Sequence, residues 1–499
     1  MQHKFEALKP VIQIVQQLKV PDQAVYLVGG AVRDLLLQRE LHDLDFVTGG
    51  EVRRLARKVA EALHGAFYML DEERDTARVV LIQEPFAGLV LDFARFRAED
   101  LEGDLRGRDF TINALAMNLD HFEQVIDPLG GAEDLRQKLL RLCSPTAMAD
   151  DPVRVLRAVR VAVKYGLHIP AETKRAVRAA VPFLGQVSAE RQRDELFHIL
   201  AGSQVATAIR LLDQFSILAQ VLPELVALKG VGQTAPHIHD VWEHTLTMIS
   251  ELEDLVGWLA TEPAREDGGA NLFHSLAALR LGRYRSRLNA LFSQPITAER
   301  PRRALFFLGA LYHDAAKPEA RSVGEDGRVH FYHHDEYGES SIAARAQVLA
   351  LSQDEIQYLK RLVRQHMRIH FLVKRELALN RRLIYRYFRD LGEVGVDISL
   401  HSLADLLATR GKQASVEEWT AELDICRALL EAWYEQPEEA VAPPRLLTGN
   451  DVMLEYSLSP GPRIGELLEA VREAQATDEV HTRDEALSLV RRLLEEKPA

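Results

Sequence analysis

A glycine pair and a nearby arginine share the segment VYLVGGAVRDLLLQRELHDLDFVTGG, which covers residues 25–50. Gly29 and Gly30 follow an apolar run that predicts a buried strand, and the apolar residues after them have helical spacing. A Gly-Gly turn lets backbone N–H groups approach an anion closely, and a helix N-terminus adds positive potential. Because Arg33 lies one turn into that helix, Gly29, Gly30 and Arg33 form a candidate phosphate site.

Two aspartates, Asp43 and Asp45, lie two residues apart in the same segment. In a strand this spacing projects both carboxylates from one face, which is unfavourable unless a cation lies between them. Mg²⁺ prefers oxygen ligands, and two such ions can activate a 3′-hydroxyl and stabilise a leaving pyrophosphate. Taken alone, a glycine pair is usually an ordinary turn and a D-x-D pair is usually solvated or capping. Their order and spacing together suit a nucleotidyltransferase site. Asp92, in LVLDFARF, is either a third carboxylate of this site or a strand-end aspartate with no special role.

Acidic and basic residues recur at helical spacing in ADDPVRVLRAVRVAVKYGL, residues 149–167. Asp151 and Arg154 are three residues apart, as neighbours on a helix face would be, and Arg157 and Arg160 extend the stripe. A carboxylate and a guanidinium together offer acceptors and donors. Such a pair is able to imitate the edge of a complementary base and to select cytosine or adenine without a template. A solvated, ion-paired helix face is the alternative when this segment is taken alone.

Taken in order, these segments resemble the bacterial tRNA nucleotidyltransferase and poly(A) polymerase family, a branch of the polymerase-β-like nucleotidyltransferases. The family's LVGGxVRD and DxD signature matches the first segment. Its RRDFTINA motif resembles GRDFTINALAMNL (107–119), with Gly107 in place of the first arginine. Its EDPxRxLRAxRFA motif resembles residues 149–167, with Asp150 in place of the glutamate, and SAERQRDELFHIL (188–200) more loosely resembles a helical motif that supports the nucleotide site.

The resemblance implies a role for each of these residues. Asp43 and Asp45 would hold Mg²⁺, and the glycine pair with Arg33 would hold the triphosphate. The RNA 3′-hydroxyl would attack the α-phosphate of CTP or ATP. The remaining implied nucleotide-binding residues are Arg108, Asp109 and Asn113 at the sugar and phosphates, Asp151 and Arg154 at the base, and Arg157 and Arg160 beside them.

The implied function is template-independent addition of CMP and AMP to tRNA 3′ ends, with complete CCA addition as the first expectation. Many CCA-adding members carry a longer flexible segment before the RRDFT motif, whereas FRAEDLEGDLRGRDF (96–110) is short. In this family a missing loop is associated with CC addition that stops before A, so CC addition is the alternative. Poly(A) polymerase is a third possibility, although the sequence shows no long basic C-terminal extension.

Histidines and aspartates recur farther along the chain, in the segments HIHDVWEHTLTMI (237–249), LYHDAAKPEA (311–320), YHHDEYGESS (332–341), VRQHM (363–367) and HSLADLLATRG (401–411). Their order resembles the HD superfamily of metal-dependent phosphohydrolases. Some nucleotidyltransferases of the family above carry a fused HD domain, which is associated with phosphatase and 2′,3′-cyclic phosphodiesterase activity. A chain that works mainly as this hydrolase is the alternative function from another class, and HD domains can also persist as scaffolds.

The HD resemblance implies that His244, His313, Asp314 and Asp405 bind a divalent metal of unspecified identity, since imidazole and carboxylate suit a transition metal or Mg²⁺. His334 and His366 would bind a second metal or the scissile phosphate. Lys317, four residues after His313 and hence expected on the same helix face, would neutralise phosphate charge.

The elements around these motifs change in type along the chain. Up to about residue 130, short β-prone runs alternate with helical periodicity, which predicts an α/β nucleotidyltransferase head with a small sheet. Beyond it strand signals nearly vanish and amphipathic helices follow one another. The predicted multidomain chain has the head at 1–145, an all-α neck and RNA-binding region at 146–235, an HD domain at 236–435 with an insertion near 251–300, and a helical C-terminal tail at 445–499.

Composition limits the classes of partner. The 61 Lys and Arg against 74 Asp and Glu give a net charge of −13, which argues against a generally basic nucleic-acid coat. Local balances of nine basic to four acidic residues in 152–200, and ten to two in 359–390, suit an RNA backbone or ordinary helix faces. Two distant cysteines indicate no disulfide framework, and no long apolar run predicts a membrane span. We expect a cytoplasmic protein whose partners are the tRNA 3′ end, CTP and ATP, with no membrane and no DNA.

Overall fold

The computed structural model describes residues 2–21, 23–41, 43–260, 272–297, 300–374 and 379–496. The chain divides into two compact units, Met1–Glu195 with Leu211–Gln220, and Leu196–Arg210 with Val221–Ala499. The polar stretch 261–271, expected to be a loop or insertion, lies outside the described residues, and the finer four-region division stays a prediction. Within the described part, every helix is too short or too polar to cross a membrane.

The first unit is built on a seven-stranded sheet with strands β1 (Val25–Val28), β2 (Asp43–Thr48), β3 (Ala66–Asp71), β4 (Thr76–Val80), β5 (Val90–Arg95), β6 (Ala116–Asn118) and β7 (Val125–Ile126). Their order is β3-β4-β5-β2-β1-β6-β7, with β2 and β5 parallel and all other neighbours antiparallel. The helices of this region are α1 (Gln2–Leu18), α2 (Gly30–Leu36), α3 (Val52–Ala62), α4 (Leu101–Arg106) and α5 (Gly131–Arg136). The predicted α/β head is confirmed.

Alternation along β2 decides which side chains enter the core. Leu44 and Phe46 are buried against α1, α2 and α3, and the Phe46 ring stacks on Phe93 of β5 with centroids 5.0 Å apart. Asp43 and Asp45 project to the opposite face. The side chains that bury the sheet on one face therefore place the two carboxylates on the other.

Helices dominate the chain after the head, as predicted. The first seven are α6 (Ala147–Asp150), α7 (Arg154–Tyr165), α8 (Ala171–Ala180), α9 (Ala189–Leu200), α10 (Val205–Gln214), α11 (Leu218–Val221) and α12 (Pro223–Val226). The next are α13 (Val241–Ala260), α14 (Leu272–Leu281), α15 (Arg285–Ser293), α16 (Arg302–Tyr312), α17 (Lys317–Ala320), α18 (His334–Val348), α19 (Gln353–Gln365), α20 (Arg368–Lys374), α21 (Arg381–Leu391), α22 (Val394–Arg410) and α23 (Val416–Glu435). The last three are α24 (Gly449–Tyr456), α25 (Pro462–Ala476) and α26 (Arg483–Glu496).

A small hairpin corrects the expectation that strand signals nearly vanish after the head. Strands β8 (Arg321–Val323) and β9 (Val329–Phe331) pair antiparallel. Between them Gly327 has a φ of +74°, which suits the Asp-Gly turn of a hairpin. The turn residues were thus a readable hairpin signal within an otherwise helical stretch.

Helix α22 lies at the centre of the second unit and is buried along most of its length. Its polar side chains therefore need partners inside the protein. Asp397 pairs with the buried Arg302 of α16 at 2.5 Å, while His401 and Asp405 face the histidine-rich region described below.

The C-terminal helices α24, α25 and α26 have an apolar core of their own, centred on Val452, Leu467, Val471 and Val490. Contacts between α25 and α21 attach this tail to the rest of the second unit. Because the tail buries its own apolar side chains, its attachment depends on the side chains that line α21.

Charge pairs make up much of this attachment and involve several arginines of the basic segment 359–390. Arg382 and Arg386 of α21 lie 3.1 and 2.7 Å from Glu473 of α25, and Arg389 lies 3.4 Å from Glu469. Other arginines of the segment also pair within the second unit: Arg364 with Asp335, Glu336 and Glu339, and Arg368 with Asp390. Of the two interpretations of this segment, these contacts favour ordinary helix faces, because the arginines already have acidic partners in the second unit.

We expect the double variant Arg382→Ala/Arg386→Ala to loosen the tail without unfolding the chain. Exposed ion pairs contribute about 0.2–1 kcal/mol each, so amide hydrogen exchange in α25 should rise about fivefold. The variant Arg106→Ala/Arg136→Ala, which removes the same charge from head helices, serves as the control. Equal exchange in α25 for both variants would show that charge does not hold the tail.

Candidate functional site

Three carboxylates lie close together on the face of the head sheet opposite α1, α2 and α3. Asp43 and Asp45 belong to β2, and Asp92 of β5 is the register partner of Asp45. Arg78 of β4 donates to both carboxylate oxygens of Asp92, at 2.8 and 2.9 Å. Asp92 is thus near the pair, as one of its two interpretations expects, but Arg78 already balances its charge.

Crowding of these acids changes the protonation of Asp45. The pKa of Asp45 is raised to about 6, chiefly by burial; the charges of Asp92 and Asp43 contribute to the increase, and those of Arg108 and Arg78 oppose it. A cation bound here would remove the repulsion and favour the ionised form. The donor set, oxygens from two carboxylates on one strand, fits a hard divalent cation such as Mg²⁺.

Gly29 brings the backbone directly beside these carboxylates. Its φ is +73°, a left-handed value that favours glycine. A Cβ at Gly29 would lie 2.8 Å from Nη1 of Arg108 and 3.5 Å from Oδ2 of Asp45, and one at Gly30 would lie 3.2 Å from Nη2 of Arg33. The structure therefore brings the predicted glycine turn, the carboxylates and Arg108 together.

Arg33 is buried beside the turn and makes several contacts of its own. Its Nε and Nη2 donate to the Asp34 carboxylate at 2.9 and 3.0 Å, and it also donates to Asn113 Oδ1 and the Tyr165 hydroxyl. The guanidinium lies 4.1 Å from the centre of the Tyr165 ring. These contacts fix Arg33 next to the predicted phosphate site and use most of its donors.

Arg108 approaches the carboxylates from the segment after α4. Its Nε and Nη2 lie 3.3 and 3.1 Å from Oδ2 of Asp104, a buried acid on α4. Its Nη1 faces Gly29. Arg108 therefore presents one donor group to the site while Asp104 holds the other side of the guanidinium.

A chain of ion pairs joins Asp109 to α7 and α9. Asp109 accepts from Asn113 Nδ2 at 3.0 Å and from Arg157 at 3.2 Å, and Glu195 of α9 accepts from both Arg157 and Arg160 at 2.8 Å. Burial raises the pKa of Asp109, but the charge of Arg157 and these hydrogen bonds outweigh burial and lower it below its ordinary value. The predicted residues Asp109, Asn113, Arg157 and Arg160 thus form one connected network.

Asp151 and Arg154 are close together, but not for the reason expected from helical spacing. Asp151 has extended backbone before α7, which begins at Arg154, and their side chains are 3.9 Å apart. Proline at the next position disfavours helical geometry for Asp151. Arg154 donates to the carbonyls of Ala147 and Gly107 at 3.0 and 3.1 Å. Its Nε has no hydrogen-bond partner among the described residues.

Sequence reasoning missed the acids that hold these arginines. Asp34 and Asp104 were not singled out, and Glu195 lay inside a motif that was noted only as supporting the site. For Asp104 a signal existed, since it precedes Arg108 by four residues, the spacing of a helical ion pair. It was not recognised because α4 was not predicted.

The second cluster gathers histidines from four parts of the second unit. His244, His313 and Asp314 offer ligand atoms that all lie within 4.8 Å of one another. Nε2 of His313 is 3.4 Å from Nε2 of His244 and 3.1 Å from Oδ2 of Asp314. Three of the four predicted HD ligands therefore form a compact group.

Asp314 also takes part in a second group with His334 and His366. Its other oxygen, Oδ1, lies 3.4 Å from Nε2 of His334 and 4.0 Å from Nε2 of His366. Each carboxylate oxygen thus faces a different pair of histidines. Both predicted accessory histidines lie where a second cation could share Asp314.

Asp405 and Lys317 reach the cluster from its sides. Oδ1 of Asp405 lies 3.0 Å from Nε2 of His244, and its Oδ2 lies 2.8 Å from Nε2 of His370, a contact that sequence reasoning missed. Lys317 lies 2.6 Å from Oδ2 of Asp314. The expected shared helix face is wrong, because α16 ends at Tyr312 and Lys317 begins α17.

The histidine ring orientations suit metal binding. His313, His334 and His366 each place Nδ1 2.7–2.8 Å from a backbone carbonyl, so that Nδ1 carries the proton and Nε2 offers a lone pair toward the cluster. Burial lowers the pKa of His366 well below its ordinary value, and the charges of His334 and His313 lower it further. Neutral imidazole is the form that binds metals. The cluster opens into a cavity of about 840 Å³.

Comparisons with known proteins agree with the head. A family model described as "Poly A polymerase head domain" matches residues 25–141, and one described as "Probable RNA and SrmB- binding site of polymerase A" matches residues 166–228. The chain is 32% identical to an A-adding tRNA nucleotidyltransferase of Deinococcus radiodurans, over 95% of this chain and 96% of that protein. It is 31% identical to a CC-adding tRNA nucleotidyltransferase of Thermus thermophilus, over 92% of this chain and 91% of that protein.

The fold is also similar to that of solved structures. A CCA-adding enzyme in its apo form I is 20% identical, with a TM-score of 0.59, over 99% of this chain and 95% of that chain. At this identity the likeness concerns the fold. Sequence identity along nearly the whole chain, both family models and the fold agree, and the chain belongs to the bacterial tRNA nucleotidyltransferase family.

Proposed function

We propose that the head catalyses template-independent transfer of CMP and AMP to the 3′ end of tRNA, and so builds or repairs the CCA end. The observation that carries the proposal is the placement of Asp45 beside the Gly29 turn and Arg108, with Asp43 two residues away on the same strand. Carboxylates for a cation and donors for a triphosphate are the two requirements of nucleotidyl transfer. The relatives named A-adding, CC-adding and CCA-adding support tRNA as the RNA substrate.

Each group has a proposed role in this reaction. Asp43 and Asp45 hold Mg²⁺, which when bound offsets triphosphate charge and favours ionisation of the attacking 3′-hydroxyl. The glycine turn, Arg33 and Arg108 lie along the triphosphate. Asp109 and Asn113, joined to each other and to Arg33 by hydrogen bonds, orient the sugar.

We propose that Asp151 and Arg154 select the base. Two backbone carbonyls fix the Arg154 guanidinium, and Arg191 lies 2.7 Å from Asp151. The protein donors and acceptors that would pair with the incoming base must be held in place without a template, and these contacts pre-organise them. Glu195 fixes Arg157 and Arg160, which are proposed to line the same side of the site.

An RNA-binding surface is proposed on α8. Lys174, Arg175 and Arg178 lie at or near its surface, whereas Val177 and Ala180 are buried. Within the described residues, no acidic group lies within ion-pair distance of these three cations. They therefore remain available to phosphates, unlike the arginines of α21. RNA rather than DNA is the proposed partner.

CC addition is the second candidate for the head, and the segment before Arg108 favours it. Residues 96–107 form a short bend and α4, with Asp100 capping the helix by accepting from Gly103 N–H at 2.8 Å. A Cβ at Gly103 would lie 2.7 Å from Cβ of Ala98, so the segment is closely packed. Two relatives that match over 92% of this chain are named CC-adding.

The HD cluster supports a further candidate activity, hydrolysis of phosphate esters including 2′,3′-cyclic phosphates. The observation that favours it is Asp314, whose two oxygens face separate histidine pairs. The proposed ligands are His244, His313, Asp314 and Asp405, with His334 and His366 at a second metal or at the phosphate. Lys317 would neutralise phosphate charge.

Extension of tRNA at single-nucleotide resolution tests the head. With tRNAs ending at the discriminator base, at C and at CC, we expect growth with CTP and ATP, and at least a 1,000-fold loss in Asp43→Ala/Asp45→Ala because the cation site is removed. Glu72→Ala/Glu73→Ala, on an exposed turn of the same sheet, should match wild type. Arrest at CC would select the CC-adding candidate, and no extension by wild type would refute the proposed transferase.

Cation binding at the head should depend on pH. Because the pKa of Asp45 is raised to about 6, the site is ionised above that pH and becomes protonated below it. We expect Mn²⁺ affinity at the head to fall about tenfold from pH 7 to pH 5. Electron paramagnetic resonance would measure the Mn²⁺ bound by wild type but not by Asp43→Ala/Asp45→Ala. If the affinity for the Mn²⁺ that depends on Asp43 and Asp45 were the same at pH 7 and pH 5, the proposed cation site would be contradicted.

Hydrolysis at the HD cluster is tested with two adjacent histidines. His334→Asn should reduce hydrolysis of bis-p-nitrophenyl phosphate and 2′,3′-cyclic AMP at least 100-fold with added Mn²⁺, Ni²⁺ or Mg²⁺, since it removes a proposed ligand. His333→Asn, which alters an exposed ring paired with Glu336, should not. If wild type hydrolyses neither compound with any of these metals, the HD proposal fails while the head proposal stands.

A further inference from the structure

Asp104 is a buried acid whose contacts converge on the nucleotide site from behind. Its side chain is 2% exposed, although it lies on the short helix α4 near the surface. Oδ2 lies 3.1 Å from Nη2 and 3.3 Å from Nε of Arg108, and Oδ1 accepts from the backbone N–H of Arg97 at 3.1 Å. Both carboxylate oxygens are therefore occupied, which fixes the carboxylate in one orientation.

Arg108 is the residue that this arrangement controls. The bonds to Asp104 use Nε and Nη2, and within the described residues Nη1 has no hydrogen-bond partner. Nη1 lies where a Cβ on Gly29 would be 2.8 Å away, and Oδ2 of Asp45 is 3.5 Å from that same point. One edge of the guanidinium is thus bound, and the free edge lies beside the glycine turn and Asp45.

Without Asp104, the Arg108 guanidinium would have another carboxylate to pair with. Asp45 lies beside the free edge of Arg108 and has no ion pair within the described residues, whereas Asp92 pairs with Arg78. Arg108 would turn toward Asp45, where its charge would compete with a divalent cation and its donors would leave the triphosphate. The buried acid therefore keeps the arginine available to substrate and the carboxylate available to metal.

We propose that Asp104 is a positioning residue of the nucleotide site, which holds Arg108 toward the triphosphate and away from Asp45. The proposal rests on the proposed transferase function of the head. It also gives α4 a definite role, because this short helix supplies the group that orients Arg108.

A second ion pair on α4 provides a matched control. Glu102 and Arg106 have the same four-residue spacing as Asp104 and Arg108, and Nη2 of Arg106 lies 2.7 Å from Glu102, but both side chains are more than half exposed. Asp104→Asn and Glu102→Gln each remove one carboxylate charge from the same helix. Both variants lose the same charge from the same helix, but only Asp104→Asn removes an acid that contacts Arg108. A difference between them therefore reflects the position of the acid, not the loss of charge or a change in α4.

The experiment measures CTP binding by equilibrium dialysis in Mg²⁺, together with KM and kcat for tRNA extension. We expect Asp104→Asn to raise the dissociation constant and the KM for CTP about tenfold, with the KM for tRNA unchanged, and Glu102→Gln to match wild type. Equal CTP binding by the two variants would overturn the proposal. Absence of extension by wild type that still binds CTP would refute the transferase function and leave the binding comparison valid.

A double-mutant cycle distinguishes positioning from loss of fold. If Asp104 acts through Arg108, then Asp104→Asn should not weaken CTP binding further in an Arg108→Ala background. An additional loss of the same tenfold size in that background would show that Asp104 acts through the fold and would overturn the proposal. Thermal melting of all four proteins records any change in stability alongside.

Discussion

The head depends on the register of β2 between β1 and β5. A slip by one residue would turn Leu44 and Phe46 to the outer face and bring Asp43 and Asp45 into the core. Burying the two apolar side chains stabilises the sheet by about 3–6 kcal/mol. Raising the pKa of Asp45 from 3.8 to about 6 corresponds to about 3 kcal/mol, so the apolar face is sufficient to impose the crowded carboxylates on the other. A cation would remove much of that cost.

Acids placed behind arginines are the second organising feature of the head. Asp34 holds Arg33, Asp104 holds Arg108, and Glu195 holds both Arg157 and Arg160. Each pair fixes a guanidinium before substrate arrives, which lowers the reorganisation that binding would otherwise require. The proposed selection of a base without a template would depend on such fixed groups, because no template strand would hold the shape of the site. Arg154 is fixed in a similar way by backbone carbonyls, those of Gly107 and Ala147.

Local patterns in the sequence predicted the head well, whereas pairing between distant residues escaped them. The strand at Val25–Val28 and the glycine turn were predicted because apolar runs and turn residues mark them directly. Proline explains two errors: Pro152 keeps Asp151 extended, and Pro318 would clash with the carbonyl of Asp314 in a continuous helix, so a new helix begins at Lys317. The acidic partners of Arg386 and Arg389 lie 87 and 80 residues farther along the chain, so counting charges in the segment 359–390 could not reveal them.

A crystal structure of the full chain with Mn²⁺ and a non-hydrolysable CTP analogue would show whether the head carboxylates and the glycine turn form one nucleotide site. Anomalous scattering would locate the metal independently of the nucleotide. The account predicts a Mn²⁺ peak between Asp43 and Asp45, with the triphosphate against Gly29 and Nη1 of Arg108. A nucleotide bound elsewhere, or Mn²⁺ found only among the histidines around Asp314, would contradict it.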